Sequence, residues 1–191
     1  MGGVLLLLLS SRSFTPPAGA AELTFAPSEQ GKPSTLTFHN TSSLGDFEGV
    51  APFTGHLDTT ALKGELTIAA NSLTTANGPR DTRMEAYCLE SARFTMITFR
   101  VTTITGDSAA LKSGVGSGTI SLTGPLTIRD VTKTVSVPAS FTYDGTTLRL
   151  NGRYDLKWAD YGVPDPGVLI STLNPDMYVS FDLLATAAPR P

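Results

Sequence analysis

The chain has 191 residues, 40% of them hydrophobic and only 16% charged, which fits one globular domain and argues against a disordered chain. A net charge of −3 with no Lys/Arg cluster excludes nucleic acid and anionic membrane surfaces as expected partners. With one cysteine, Cys88, an intrachain disulfide is ruled out.

In chain order, the first feature is the apolar run Val4 to Leu9, far too short to span a bilayer. Ala18-Gly19-Ala20 follows it and offers the small-x-small pattern of a signal-peptidase site. The positive start that such leaders carry is missing, because Arg12 comes after the run instead of before it. The expectation is a leader over 1–21 with an atypical start, one domain over 22–188, and a periplasmic or secreted location. No cysteine stands near the cleavage site, so a lipoprotein anchor is excluded, and no stable membrane insertion is expected.

Beyond the leader, apolar and polar residues alternate at period two. Leu36 and Phe38 mark a strand near 34–41, closed by a turn at 42–45. Phe53, Gly55 and Leu57 mark the next, and Leu66, Ile68 and Ala70 another after Lys63-Gly64. A strand near 95–104 carries Ile97, Phe99 and Val101 on one face. A glycine-rich loop is expected at 106–118. The clearest run is Thr119 to Ile128, where Ile120, Leu122, Gly124, Leu126 and Ile128 share one face and Ser, Thr and Pro the other. Val135, Val137, Ala139, Phe141 and Tyr143 come next. Asp144-Gly145 is a strong hairpin signal leading to Leu148, Leu150, Gly152, Tyr154, Leu156 and Trp158. Val179, Phe181 and Leu183 form the last strand.

The series predicts an all-β antiparallel meander with one dry face, which must meet itself in a sandwich or a closed barrel. One segment, Pro79 to Glu90, breaks the period. Met84, Tyr87 and Cys88 recur at helical spacing there, with Asp81 placed to cap. Arg80 and Arg83 at its start are disfavoured by the helix dipole and call for a neighbouring carboxylate or an anionic group.

Chemistry-bearing residues are few. His39 and His56 fall on the polar parity of their strands and are expected at the surface, without a third ligand for zinc. No phosphate loop, serine elbow or Cys–His pair stands out, so no catalytic residues, metal or cofactor are assigned, and an enzyme is not expected. Gly55, Gly124 and Gly152 lie on the apolar parity. Each either lets the wall bend or leaves room inside it.

Several pieces in fixed order then bring a family into view. They are Phe53-Thr-Gly-His-Leu-Asp58, Ser72-Leu-Thr-Thr-Ala-Asn77, Arg80-Asp81 with Met84, and Phe94-Thr-Met-Ile-Thr-Phe99. Gly124-Pro-Leu-Thr-Ile128, Val131-Thr-Lys-Thr-Val135 and Asp160-Tyr161-Gly162 complete the set. From about Ser34 to Ala185 the sequence resembles the YceI-like family of lipocalin-like, polyisoprenoid-binding proteins. The resemblance implies an extended, eight-stranded antiparallel β-barrel with one short helix and a lipid tail inside, usually in a bacterial periplasm. It carries no catalytic residues across. Two departures bear on the ligand's head group. Trp158 stands where the family usually has an arginine, with Lys157 one residue earlier, and Tyr87, Cys88 and Leu89 replace the usual paired phenylalanines.

Parity then selects the expected lumen lining: Phe38, Phe53, Leu57, Leu66, Ile68, Phe99, Ile120, Leu122, Leu126, Phe141, Leu150, Tyr154, Leu156, Trp158 and Phe181. The expected function is non-enzymatic carriage or storage of an isoprenoid or similar long-chain amphiphilic lipid. The alternatives are a structural or interaction barrel with a solidly packed interior, and an enzyme acting on lipid, for which no acid–base pair is visible. A homodimer is left open.

Overall fold

The computed structural model describes residues 22–25, 34–165 and 172–187. The expected leader and the end of the expected domain at 188 lie outside the described residues. Among the described residues eleven strands form one sheet: β1 (Glu22–Phe25), β2 (Thr35–Ser42), β3 (Gly45–Val50), β4 (Phe53–Asp58), β5 (Lys63–Ala69), β6 (Met96–Val101), β7 (Thr103–Gly106), β8 (Val115–Ile128), β9 (Val131–Asp144), β10 (Thr147–Lys157) and β11 (Asp176–Ala187). Two six-residue helices, α1 (Gly78–Arg83) and α2 (Ser108–Ser113), lie between them.

Strands β1, β4, β5, β6, β8, β9, β10 and β11 pair in that order, and β11 returns to β1, closing an eight-stranded antiparallel barrel. Strand β11 serves two neighbours. Its second half meets β1, while Tyr178 to Asp182 pair with β2, which carries β3 outward as a hairpin. The period-two pattern is what makes this possible. In β9, Val135, Val137, Ala139, Phe141 and Tyr143 are buried and the residues between them are exposed. At the expected Asp144-Gly145 hairpin, Gly145 takes a φ of 91° and the Asp144 carboxylate accepts from the backbone N–H of Thr146 (3.0 Å) and Thr147 (2.7 Å).

The wall is not evenly laced. Pairing between β9 and β10 runs from Tyr143–Leu148 to Ala139–Gly152 and stops there. The next residue of β9 is Pro138, which has no N–H with which to extend the ladder. Beyond it the strands diverge, and a 3₁₀ turn, Trp158–Tyr161, follows β10. Its Asp160 pairs with Lys133 of β9 across the divergence at 3.3 Å.

Several local expectations need correction. Trp158 belongs to that 3₁₀ turn and not to the strand. The strand expected over 95–104 is broken at Thr102 into β6 and β7, because the Thr102 N–H leaves the β6 path to reach the Thr123 carbonyl (2.9 Å). The expected loop at 106–118 contains α2 and the first residues of β8. Strands β1 and β3 have no counterpart in the series expected from periodicity.

The helix expected over 79–90 is α1 followed by a π-helical turn, Met84–Cys88. Its N-cap is Asn77, whose side chain accepts from the Arg80 N–H at 3.1 Å. Asp81 is not the cap because its carboxylate is already engaged by the Thr74 hydroxyl (2.7 Å) and the Thr75 N–H (2.8 Å). Among the described residues, no helix is long and apolar enough to cross a membrane.

Candidate functional site

Burial differs between the two ends of the barrel. At one end Leu23, Leu111, Leu148 and Ala185 have no exposed surface, and Phe141, Ile120 and Tyr143 are nearly as dry. Leu111 is the one buried residue of α2, so this short helix stoppers the closed end. Toward the other end, Leu66, Ile97, Phe99, Leu126, Tyr154 and Val179 pack on the core but are only partly buried. They border a cavity of about 690 Å³ that occupies the upper barrel. That volume falls within the roughly 300–1,000 Å³ usual for small-molecule sites.

Of the expected lining, Phe38, Leu57, Leu66, Ile68, Phe99, Leu122, Leu126, Leu150, Tyr154, Leu156, Trp158 and Phe181 border the cavity. Phe53, Ile120 and Phe141 do not, being 3%, 4% and 1% exposed within the packed core. Ile97, Ile128, Met177 and Val179 also border it and follow the parity of residues already chosen on their strands. Leu44, Leu73, Met84, Val163 and Leu173 do so from connecting segments, where no periodicity points to them.

The inward glycines do not open this space. A Cβ at Gly152 would lie 2.5 Å from the Pro138 carbonyl oxygen and 2.6 Å from Cζ of Phe181, and one at Gly55 would lie 2.5 Å from the Glu65 carbonyl oxygen. A Cβ at Gly124 would run into the Arg100 carbonyl oxygen. In each case neighbouring strand or ring atoms occupy the place of the missing side chain. These glycines permit close passage and curvature of the wall.

The cavity wall includes Leu44 of the β2–β3 turn, Gly45 to Phe47 at the start of β3, residues of α1 and the turn after it, and Trp158, Val163 and Leu173. Arg80 and Arg83 are part of it. The Arg80 Nε donates to the Thr75 hydroxyl at 2.7 Å, and its guanidinium lies over the Phe47 ring at 4.2 Å. The same Thr75 hydroxyl donates to Asp81 at 2.5 Å, so the carboxylate expected near Arg80 is Asp81, joined to it through Thr75. Desolvation pushes the Asp81 carboxyl up, but the Thr74 and Thr75 hydrogen bonds, with Arg80 nearby, hold it below the ordinary carboxylate range. Arg83 stacks over Tyr87 at 4.8 Å.

Arg129 ties this region together. It donates to the carbonyls of Gly162 (2.7 Å) and Cys88 (3.3 Å) and forms an ion pair with Glu90. One side chain in the β8–β9 turn thereby fixes the end of the π-helical turn against the end of the 3₁₀ turn. The Trp158 indole N–H donates to the Asn174 carbonyl at 2.8 Å, leaving its ring to the cavity, while Lys157 pairs with Asp176 at 3.2 Å. His56 is exposed, as its parity suggests. His39 is also on polar parity but is only part-exposed, bonded to Ser180 (2.8 Å) and stacked on Tyr178 at 4.3 Å.

Cys88 offers a direct probe of the interior. It borders the cavity, is 5% exposed, and has its thiol pushed up to about 11 by burial, against the opposing influence of Arg83 and Arg129. A raised thiol pKa keeps the unreactive neutral form until the pH approaches that value. At pH 8 the thiolate fraction should be roughly 100-fold below that of an exposed cysteine. Alkylation by iodoacetamide should therefore climb about ten-fold per pH unit through pH 10 without levelling. A plateau near pH 9 would show that the thiol is not desolvated.

A profile of the YceI-like domain family matches residues 26–185 of the chain. No match is found among curated proteins. Among solved structures, the chain is similar to a polyisoprenoid binding domain from Saccharophagus degradans implicated in plant cell wall breakdown. The two are 18% identical with a TM-score of 0.72, over 88% of this chain and 99% of that one. It is also similar to BcnA of Burkholderia cenocepacia, at 19% identity and a TM-score of 0.68, over 80% of this chain and 96% of that one. The YCEI protein of Campylobacter jejuni aligns at 19% identity and a TM-score of 0.58, over 74% of this chain and 85% of that one.

Proposed function

Because the chain belongs to the YceI-like domain family, we propose that its barrel binds an isoprenoid or similar long-chain amphiphilic lipid, for carriage or storage rather than chemical conversion. The observation that carries this reading is the apolar cavity of about 690 Å³ inside a barrel whose other end is packed. An interior packed solid would bury its inward residues uniformly, whereas Leu66, Phe99, Leu126 and Val179 remain partly uncovered. Each methylene moved from water into such a space contributes about 0.8 kcal/mol, so a tail of ten carbons offsets the cost of ordering it. Arg80 and Arg83 give the polar head a cationic place in the wall. The likeness to a polyisoprenoid binding domain supports the same class of ligand. The leader pattern over 1–21 supports a periplasmic or secreted location.

Native mass spectrometry of the purified protein, followed by organic extraction, tests the reading. The expected result is a one-to-one complex with a lipid, or an empty protein that takes up one equivalent of a fluorescent polyprenyl probe. A protein that is repeatedly empty and does not bind the probe would overturn the carrier reading in favour of a purely structural barrel.

A further inference from the structure

On three strands the cavity gives way to packed residues toward the closed end. On β8, Ile128, Leu126 and Leu122 border it, while Ile120 below them is packed. On β10 the series is Leu156, Tyr154 and Leu150, with Leu148 packed below. On β11 it is Met177, Val179, Phe181 and Leu183, with Ala185 packed below. On β10 and β11 the register makes the endings coincide, since Leu150 pairs with Leu183 and Leu148 with Ala185, whereas on β8 the packed Ile120 pairs with Ala139, opposite Gly152, so the packed layer begins one inward position higher there. Beneath that layer Leu111 of α2 is fully buried in the core.

Each of the three lining series spans six residue steps. At about 3.3 Å per residue and a strand tilt near 40°, this is roughly 15 Å of depth. An extended chain advances about 1.2 Å per backbone bond, so a straight tail of about twelve carbons would already touch the floor. The volume allows more. If a carbon fills about the 30 Å³ share of a liquid water, 690 Å³ takes roughly 20–25 carbons. The space is thus shallow and wide, suited to a bent, methyl-branched tail rather than a straight one.

We infer that the closed end acts as a length stop, so that the cavity fully takes up an isoprenoid tail of four or five units and leaves any excess outside. This rests on the reading of the cavity as a lipid site and adds the size of its ligand. Tails shorter than the limit gain apolar contact with each added unit, whereas longer ones add carbons that stay in water.

Prenyl monophosphates of two to eight isoprene units, displacing a bound fluorescent probe below their micelle concentrations, provide the test. Apparent affinity should tighten at least about ten-fold per unit up to four units, since one buried methylene alone gives about four-fold. Between five and eight units it should change less than about three-fold. Val179→Phe, which adds bulk at a partly uncovered position, should bring the break one unit earlier. Phe141→Ala, which deepens the floor, should delay it. If Phe141→Ala does not fold, Val179→Phe still decides. Affinity rising steadily to eight units would overturn the length stop while leaving the lipid reading intact. So would a break that does not move in a folded Val179→Phe protein. Binding at no length would overturn the lipid reading itself, and the stop with it.

Discussion

Leu122→Glu should destabilise the protein by about 3–5 kcal/mol and abolish ligand uptake, whereas Ser121→Glu next to it should cost about 1 kcal/mol or less. Leu122 is 7% exposed, borders the cavity just above its floor, and lies between Ile104 of β7 and Val137 of β9. Neither side chain can donate a hydrogen bond to a carboxylate or balance its charge. Ser121 points to the outer face, where its hydroxyl meets that of Ser136 at 2.6 Å. Losing that exposed contact is worth about 1 kcal/mol, and the new charge stays in water. In a domain of this size the inner substitution should lower the melting temperature by about 10 °C. Desolvation raises the pKa of a buried carboxyl, so the defect should be full at pH 8 and shrink as the pH falls through that raised value. Equal melting temperatures for the two variants would mean that the faces of β8 are misassigned.

That contrast depends on a parity readable in the sequence, and parity accounts for most of what could be foreseen. The runs around Leu122, Val137, Leu150 and Phe181 each turned one face inward, and the barrel closes upon those faces. Two kinds of feature escaped it. Very short elements carry too little pattern: α2 has one buried residue, Leu111, and β1 has only Leu23 and Phe25. The cap of α1 is Asn77, two residues before Pro79. Asp81 is equally suited to cap by residue type, and the sequence does not show that Thr74 and Thr75 claim its carboxylate.

The second kind is set by residues far apart in the chain. Parity says that Gly152 faces inward, but only the fold shows the Phe181 ring lying across the vacant position. It selects Phe53, Ile120 and Phe141 together with Leu66 and Phe99, without telling the packed residues from those around the open space. For Ile120 and Phe141 that distinction depends on where the packed end begins, set in part by Leu111 from a helix that no periodicity announced, whereas Phe53 pairs with Ile68, itself a cavity residue, so depth does not set it apart. The contributions of Leu44, Leu73, Met84, Val163 and Leu173 are likewise products of the connections.

Gly124→Ala is the sharpest test of how the wall passes over itself. Gly124 pairs with Val135 of β9 on one side. On its other side the chain changes from β6 to β7, and the Thr102 N–H reaches the Thr123 carbonyl. An added Cβ would collide with the Arg100 carbonyl oxygen and lie 3.1 Å from the Thr102 nitrogen. Both are backbone atoms held by the sheet, so no side-chain rotation can relieve the contact. One methyl group must then push β8 away from the β6–β7 break, which is expected to cost about 3 kcal/mol or more, at the upper end for overpacking. Gly78→Ala is the control, since nothing lies within 4 Å of its Cβ position and it begins α1, where alanine is favoured by about 1 kcal/mol over glycine. Urea unfolding of the two variants should give midpoints on opposite sides of the parent protein. A Gly124→Ala protein as stable as the parent would mean that β8 does not pass so close to Arg100, and that the strand break at Thr102 has another cause.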